Sequence, residues 1–194
     1  MSIYRFASMP TQTLPSVQSW VDAFTATELD EIVRIGDSLA LDKATVEGPQ
    51  SDAIRKSKTG WISLNEETAW LYERLASAAR ELNASFFRFD LEGFHEDFQY
   101  TVYGSDEDHY TWHVDHGSHR SRPPRKLSLV LQLSHPHEYE GGDLETMVSN
   151  TPVAVEKRRG IIHAFPSYVL HRVTPVTAGT RRTLVVWTSG PPFR

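Results

Sequence analysis

The pattern of apolar positions changes character partway along the chain. Leu29, Ile32, Val33 and Leu39 recur at helical spacing. They follow Thr25 and Glu28, a T-x-x-E pattern that satisfies free N–H groups at a helix start. A helix is therefore predicted from Thr25. A second is predicted over 66–82, with Asn65 as its N-cap and Leu71, Leu75, Ala78, Ala79 and Leu82 on one stripe. Residues 47–60 read as a polar, mobile connection, and residues 1–24 show no period and stay unassigned.

After Asn83 the period becomes two. Phe87, Phe89 and Leu91 alternate with Arg88 and Asp90; Phe98, Tyr100 and Val102 alternate with Gln99, Thr101 and Tyr103. Leu127, Leu129, Leu131 and Leu133 alternate with Ser128, Val130 and Gln132. Further short strands are predicted at 144–148, 160–165, 169–174 and 181–188, separated by Gly and Pro breakers. Two helices followed by about eight short strands give an α+β, mainly β, chain with helices packed on an antiparallel sheet. The strand spacing suits a sandwich or a small barrel.

The chain has 194 residues, of which 39% are hydrophobic and 23% charged. That fits a single domain, 1–194, with a helical N-terminal part over about 1–85 and a β core over about 86–190. The net charge of −5 lacks the basic footprint of a nucleic-acid binder. Cysteine is absent, which excludes disulfides, a thiolate nucleophile and Cys-ligated metals. No apolar run is long enough for a signal peptide or a membrane span, so a cytoplasmic protein with no membrane partner is expected. Nothing in the pattern specifies an oligomeric state.

Candidate chemistry gathers around the histidines. In Trp112-His113-Val114-Asp115, a strand would point His113 and Asp115 to one side, as two ligands of one metal require. Such a pair is also common on protein surfaces, so its context has to support it. Downstream, Val169, His171 and Val173 would share an inward strand face, and Arg181 follows ten residues after His171. His171 taken alone reads equally as a buried histidine with one hydrogen-bond partner.

An ordered set of short pieces supplies the context. Tyr103 and Tyr110 lead into His113-Val114-Asp115, followed by Leu131-Gln132-Leu133-Ser134 and Glu138-Tyr139-Glu140-Gly141-Gly142-Asp143-Leu144. Then come Phe165-Pro166-Ser167, His171-Arg172-Val173-Thr174-Pro175-Val176, Gly179-Thr180-Arg181 and Trp187. Over roughly 86–190 the chain resembles the 2-oxoglutarate- and Fe(II)-dependent dioxygenases, in particular the prolyl-4-hydroxylase-like, PKHD-type hydroxylases. The resemblance implies a double-stranded β-helix (jelly-roll) core with flanking N-terminal helices. It implies Fe(II) held by His113, Asp115 and His171, and 2-oxoglutarate held by Arg181 and Tyr103. Dioxygen is the second cosubstrate, and ascorbate can support turnover. The implied reaction hydroxylates a C–H bond and releases succinate and carbon dioxide.

Physical chemistry agrees with this set. Two imidazoles and one carboxylate on one face of Fe(II) leave three positions open. An arginine fork suits the far carboxylate of 2-oxoglutarate, and a phenol can donate to it. Gln99 and Thr101 share the face of Tyr103, whereas Arg182 would point the other way. Trp112 and Trp187 read as packing, and Gly141-Gly142 as a turn needing positive φ. His116 and His119 could line the mouth of the site; His135, His137 and His163 read as structural. Arg120, Arg122, Arg125 and Lys126 form a basic loop read as solvated. The implied substrate is an amino-acid side chain in a peptide or protein, with a free amino acid or another small molecule as the alternative. Specificity is expected in the 104–111 and 116–126 loops and the N-terminal half. A non-catalytic binding module on the same fold is one rival. A zinc hydrolase of the H-x-H-x-D-H type is another, disfavoured because position 111 is Thr.

Overall fold

A computed structural model describes residues 16–44, 51–116 and 123–193. Helix α1 spans Ala26–Asp37 and is capped as its sequence requires. The Thr25 hydroxyl accepts from the Glu28 N–H at 3.2 Å, and the Glu28 carboxylate accepts from the Thr25 N–H at 2.7 Å. Its buried face carries Leu29, Ile32 and Gly36. Leu39 lies past the helix end yet packs on the same core. A single helical turn, α2, covers Ser51–Ile54. Helix α3 spans Ala69–Leu82 and buries Leu71, Leu75, Ala78, Ala79 and Leu82. It starts at Ala69 rather than 66, because the Asn65 side chain accepts from the Glu67 and Thr68 N–H groups and so caps the turn before the helix.

The strands are, in chain order, β1 (Gln18–Trp20), β2 (Asp42–Lys43), β3 (Arg55–Lys56), β4 (Lys58–Ile62), β5 (Phe98–Tyr103), β6 (Asp108–His113), β7 (Arg125–Gln132), β8 (Tyr139–Gly141), β9 (Leu144–Met147), β10 (Val153–Ala154), β11 (Ile162–Pro166), β12 (Leu170–Gly179) and β13 (Arg181–Ser189). They form two sheets. The larger runs β1-β11-β7-β13-β5-β4-β2, and the smaller runs β10-β9-β12-β6-β3, with β8 also paired to β12. All named pairings are antiparallel. This is the mainly β, double-stranded arrangement the resemblance implied.

The inner strands of the larger sheet, β5, β7, β11 and β13, are buried on both faces. Phe98 and Tyr100 on β5, Leu127, Leu129 and Leu131 on β7, and Leu184 and Val186 on β13 pack with the buried faces of α1 and α3. The intervening residues face the smaller sheet, where Tyr103, Val130, Phe165, Val173 and Val176 form a second apolar cluster. The period-two pattern therefore separates a structural face from an interior face that can carry chemistry.

Four parts of the sequence reading need correction. The 47–60 segment is not a loop where it is described, since 51–62 forms α2, β3 and β4 (residues 47–50 lie outside the described residues). Pairing of β4 with β5 buries Thr59, Gly60 and Ile62 and overrides the polar composition. Residues 87–91 are not a strand. Asn83 opens a π turn, Asn83–Phe87, and its side chain bonds the backbone N–H and carbonyl of Phe89, so the chain turns away there. Within the 104–111 loop, Asp108 onward already belongs to β6. The N-terminal segment also supplies strands to both sheets rather than helices alone. No helix among the described residues is long and apolar enough to cross a membrane.

One contact fixes how α1 sits on the sheet. The Tyr100 ring lies on Gly36, and the Tyr100 hydroxyl donates to Asp37 at 2.7 Å. A Cβ at position 36 would meet that ring at 2.3–2.5 Å. Gly36→Ala is expected to cost about 1–3 kcal/mol through overpacking, read as a lower denaturation midpoint. An unchanged midpoint would show that the ring can move aside.

Candidate metal centre and its cavity

His113 ends β6 and His171 stands near the start of β12, and the strand register sets the two opposite each other. Each imidazole is anchored by its own backbone. His113 Nδ1 lies 2.7 Å from the Thr111 carbonyl, and His171 Nδ1 lies 2.9 Å from the Val169 carbonyl. A carbonyl only accepts, so Nδ1 carries a proton in each ring and Nε2 is the nitrogen left to face the centre. The Tyr110 ring stacks on His113 with centroids 3.4 Å apart.

Strand alternation is not what brings Asp115 to this place. The strand stops at His113, and the Asp115 N–H is held by the Ser167 carbonyl at 2.8 Å. Its carboxylate accepts from the Ser128 hydroxyl at 2.7 Å. Asp115 Oδ1 then lies 3.8 Å from His113 Nε2, and Oδ2 lies 3.4 Å from His171 Nε2. One donor atom from each of the three falls within 4.8 Å of the others, the only such group among the described residues.

The electrostatics suit a cation at this point. Burial, reinforced by the neighbouring His171, pushes the His113 imidazole down to about 4, so the ring is neutral at physiological pH. Burial pushes the Asp115 carboxyl up, but the two histidines and the Ser128 hydrogen bond outweigh it and hold the group below the usual carboxylate range.

The three side chains open into a cavity of about 290 Å³ between the sheets. Gln99, Thr101, Tyr103, Arg181 and Thr183 line the side formed by β5 and β13, as alternation predicts. Arg181 is 1% exposed, and register places it opposite Tyr103. One terminal nitrogen donates to Gln132 at 3.2 Å, the Tyr103 ring centre lies 5.3 Å from its Cζ, and its Nε is buried with no partner. No carboxylate pairs with it among the described residues. A Cβ on Gly142, which holds φ +61°, would meet Arg181 Cδ at 2.9 Å, so the turn glycine keeps the arginine's place open. Arg182 points away, as expected, and pairs with Asp37 at 3.1 Å.

Sequence reasoning missed part of the wall. Arg55 lines the cavity from the segment read as a loop, Trp61 from just past its end, and Glu96 from the irregular stretch before β5. Arg125, assigned to a solvated loop, instead grips Glu96 through two bonds of 2.6 and 2.7 Å and lies 3.6 Å from the Trp187 ring centre. Trp187 is thus cavity wall as well as packing. Lys126 is buried and donates to the Pro191 carbonyl. His119, Arg120 and Arg122 lie outside the described residues. His116 stands beside Phe193, with ring centres 5.7 Å apart. His135 and His137 stack on each other, and His163 is bound to Ser19 and the Glu156 carbonyl, so none of these three joins the centre.

Residues 98–189 match the family model described as the 2OG-Fe(II) oxygenase superfamily. That match takes in 92 of the chain's 194 residues, and over this core the chain is similar to the superfamily. PKHD-type hydroxylases from Hyphomonas neptunium and a Janthinobacterium species are 40% and 41% identical over 83 and 86 residues, 41% of this chain in each case. The match spans 37% and 38% of those relatives' own lengths. In fold, the chain is similar to a Pseudomonas putida prolyl-4-hydroxylase, with a TM-score of 0.70, 22% identity and coverage of 91% of this chain and 94% of that one. It is also similar to a prolyl hydroxylase from Trichoplax adhaerens, solved with a hypoxia inducible factor peptide fragment, with a TM-score of 0.74, 17% identity and coverage of 90% and 83%. The superfamily implies Fe(II), 2-oxoglutarate and dioxygen. The residues present fit the first two: an N,N,O donor set on one side of the cavity, and beside it a buried arginine without a counter-ion among the described residues.

The His113 shift makes a prediction for the metal-free protein. A folded-state value of about 4, below the ordinary 6.5, means stability that is complete above 6.5 and lost as pH falls below it. His163, also pushed down by burial, adds to the loss with the same sign. Melting temperatures of metal-free protein should fall from pH 7 towards pH 4, and His113→Asn should flatten that slope. An equally steep slope in the variant would mean that His113 is not the buried neutral group described.

Proposed function

We propose that the chain is a non-haem Fe(II)- and 2-oxoglutarate-dependent dioxygenase that hydroxylates a C–H bond of an amino-acid side chain, releasing succinate and carbon dioxide. We read residues 1–194 as one catalytic domain. Iron is held by His113, Asp115 and His171, and 2-oxoglutarate by Arg181 and Tyr103. The observation that carries the reading is a convergent His-Asp-His group sharing a small cavity with a buried arginine that has no anionic partner among the described residues.

When bound, iron and 2-oxoglutarate supply the oxidative chemistry; the protein supplies placement and shelter. The Nδ1 anchors fix which histidine nitrogens face the metal. The Ser128 hydroxyl donates to the Asp115 carboxylate and the Ser167 carbonyl accepts from the Asp115 N–H, which fixes the third donor. Arg181 offers a planar fork to the far carboxylate of the cosubstrate, and Tyr103 offers a hydroxyl. Val130, Leu144, Val173 and Val185 line the remaining wall and exclude water. An amino-acid side chain in a peptide or protein is the proposed substrate. The prolyl-hydroxylase likeness supports it, as does the peptide in the Trichoplax adhaerens complex.

Two variants separate the roles. His113→Ala should abolish iron retention, measured by metal analysis, together with 2-oxoglutarate-dependent succinate release. Arg181→Ala should retain iron and raise the KM for 2-oxoglutarate roughly 10- to 100-fold. Unchanged succinate release in the first variant would overturn the assignment. Equal loss of iron and cosubstrate in the second would show that Arg181 has another role.

A further inference from the structure

Arg55 is a second buried guanidinium in the cavity, and the proposed cofactors leave it unused. Its Nε donates to the Ser57 hydroxyl at 3.0 Å and its Nη2 to Gln99 Oε1 at 2.9 Å. Its Cζ lies 4.7 Å from the Tyr110 ring centre. These partners are neutral, and they hold the guanidinium in one orientation. Nη1 makes no hydrogen bond, and no carboxylate pairs with Arg55, among the described residues.

The charges of the loaded site show what is missing. Doubly charged iron and Arg181 are balanced by Asp115 and the two carboxylates of 2-oxoglutarate. Arg125 is balanced by Glu96. Arg55 is left as one positive charge in surplus, in a cavity with an apolar back wall. Buried charges are costly unless paired, and a preoriented arginine is matched best by a carboxylate. We propose that Arg55 receives a carboxylate of the primary substrate, so that the molecule hydroxylated here carries an anionic group close to the reacting carbon. This rests on the oxygenase reading above. The carboxylate can be the α-carboxylate of a free amino acid, or the C-terminus or acidic side chain of a peptide.

Calorimetric titration under nitrogen tests this on protein loaded with Mn(II) and 2-oxoglutarate. The probes are matched pairs: free L-amino acids against their carboxamides, and short peptides with free C-termini or Glu against amidated or Gln counterparts. At least one acid should bind roughly 10- to 100-fold more tightly than its amide, and the pair showing this identifies the source of the carboxylate. Arg55→Gln should erase the preference while 2-oxoglutarate still binds. Arg55→Lys, which keeps the charge without the fork, should retain part of it and serves if the glutamine variant fails to fold. A wild type that prefers no acid over its amide, or a preference that survives in Arg55→Gln, overturns the proposal. A wild type that takes up no 2-oxoglutarate brings down the oxygenase reading itself, and this inference with it.

Discussion

The structure depends on the two-sidedness of β5, β7 and β13. Each strand gives one set of alternate residues to the helices and the other set to the cavity. On β7 the helix-facing set is Leu127, Leu129 and Leu131, and the cavity side includes Ser128, Val130 and Gln132. On β13, Leu184 and Val186 face the core, while Arg181, Thr183, Val185 and Trp187 face inward. A slip of one residue would send the leucines into the cavity and Arg181 into the helix interface. The burial of α1 and α3 therefore fixes register, and register fixes the site. Stability and site geometry are held by the same alternation, which is why so polar an inner face can be tolerated.

That inner face is organised by pairing and by its deliberate incompleteness. Ser128 and the Ser167 carbonyl orient Asp115, and two backbone carbonyls orient the histidines. Arg125 and Glu96 close on each other. Against this background, Arg181 and Arg55 stand out as buried guanidiniums whose bonded partners among the described residues are all neutral. An isolated buried charge is expensive, and each of these two is fixed by amides, hydroxyls or aromatic rings, which is the physical basis of the anion-binding roles proposed for them.

Much of this was legible from residue order. The capping box at Thr25, the stripe of α3 and the alternation of β5, β7 and β13 each state a local rule that tertiary packing obeys. The pairing of His113 with Asp115 was legible too, but for the wrong local reason: Asp115 is placed by backbone bonding to Ser167, a contact fifty-two residues away that no spacing rule carries. What stayed hidden follows the same logic. β2, β3 and β10 are two residues long, too short to show a period. Phe87, Phe89 and Leu91 alternate perfectly, yet one side chain, Asn83, bonds the Phe89 backbone and turns it away from a sheet. Arg55 lay in a polar stretch, and only the pairing of β3 with β6 brings it over Tyr110.

The division between legible and hidden parts also divides the labour of the site. The family match begins at Phe98 and takes in the three donors, Tyr103 and Arg181. Arg55, Trp61 and Glu96 come from before it, on segments that pack against or lead into the matched core. The matched portion contains the His-Asp-His group and the buried Arg181, yet it leaves one wall of the cavity open. The preceding strands close that wall with a half-exposed indole and a fixed positive charge. A reaction common to many substrates needs only the first part. Choosing among substrates needs groups that line the cavity outside the donor set, and in this chain the N-terminal strands bring Arg55 and Trp61 to that wall, which is where the proposed carboxylate site lies.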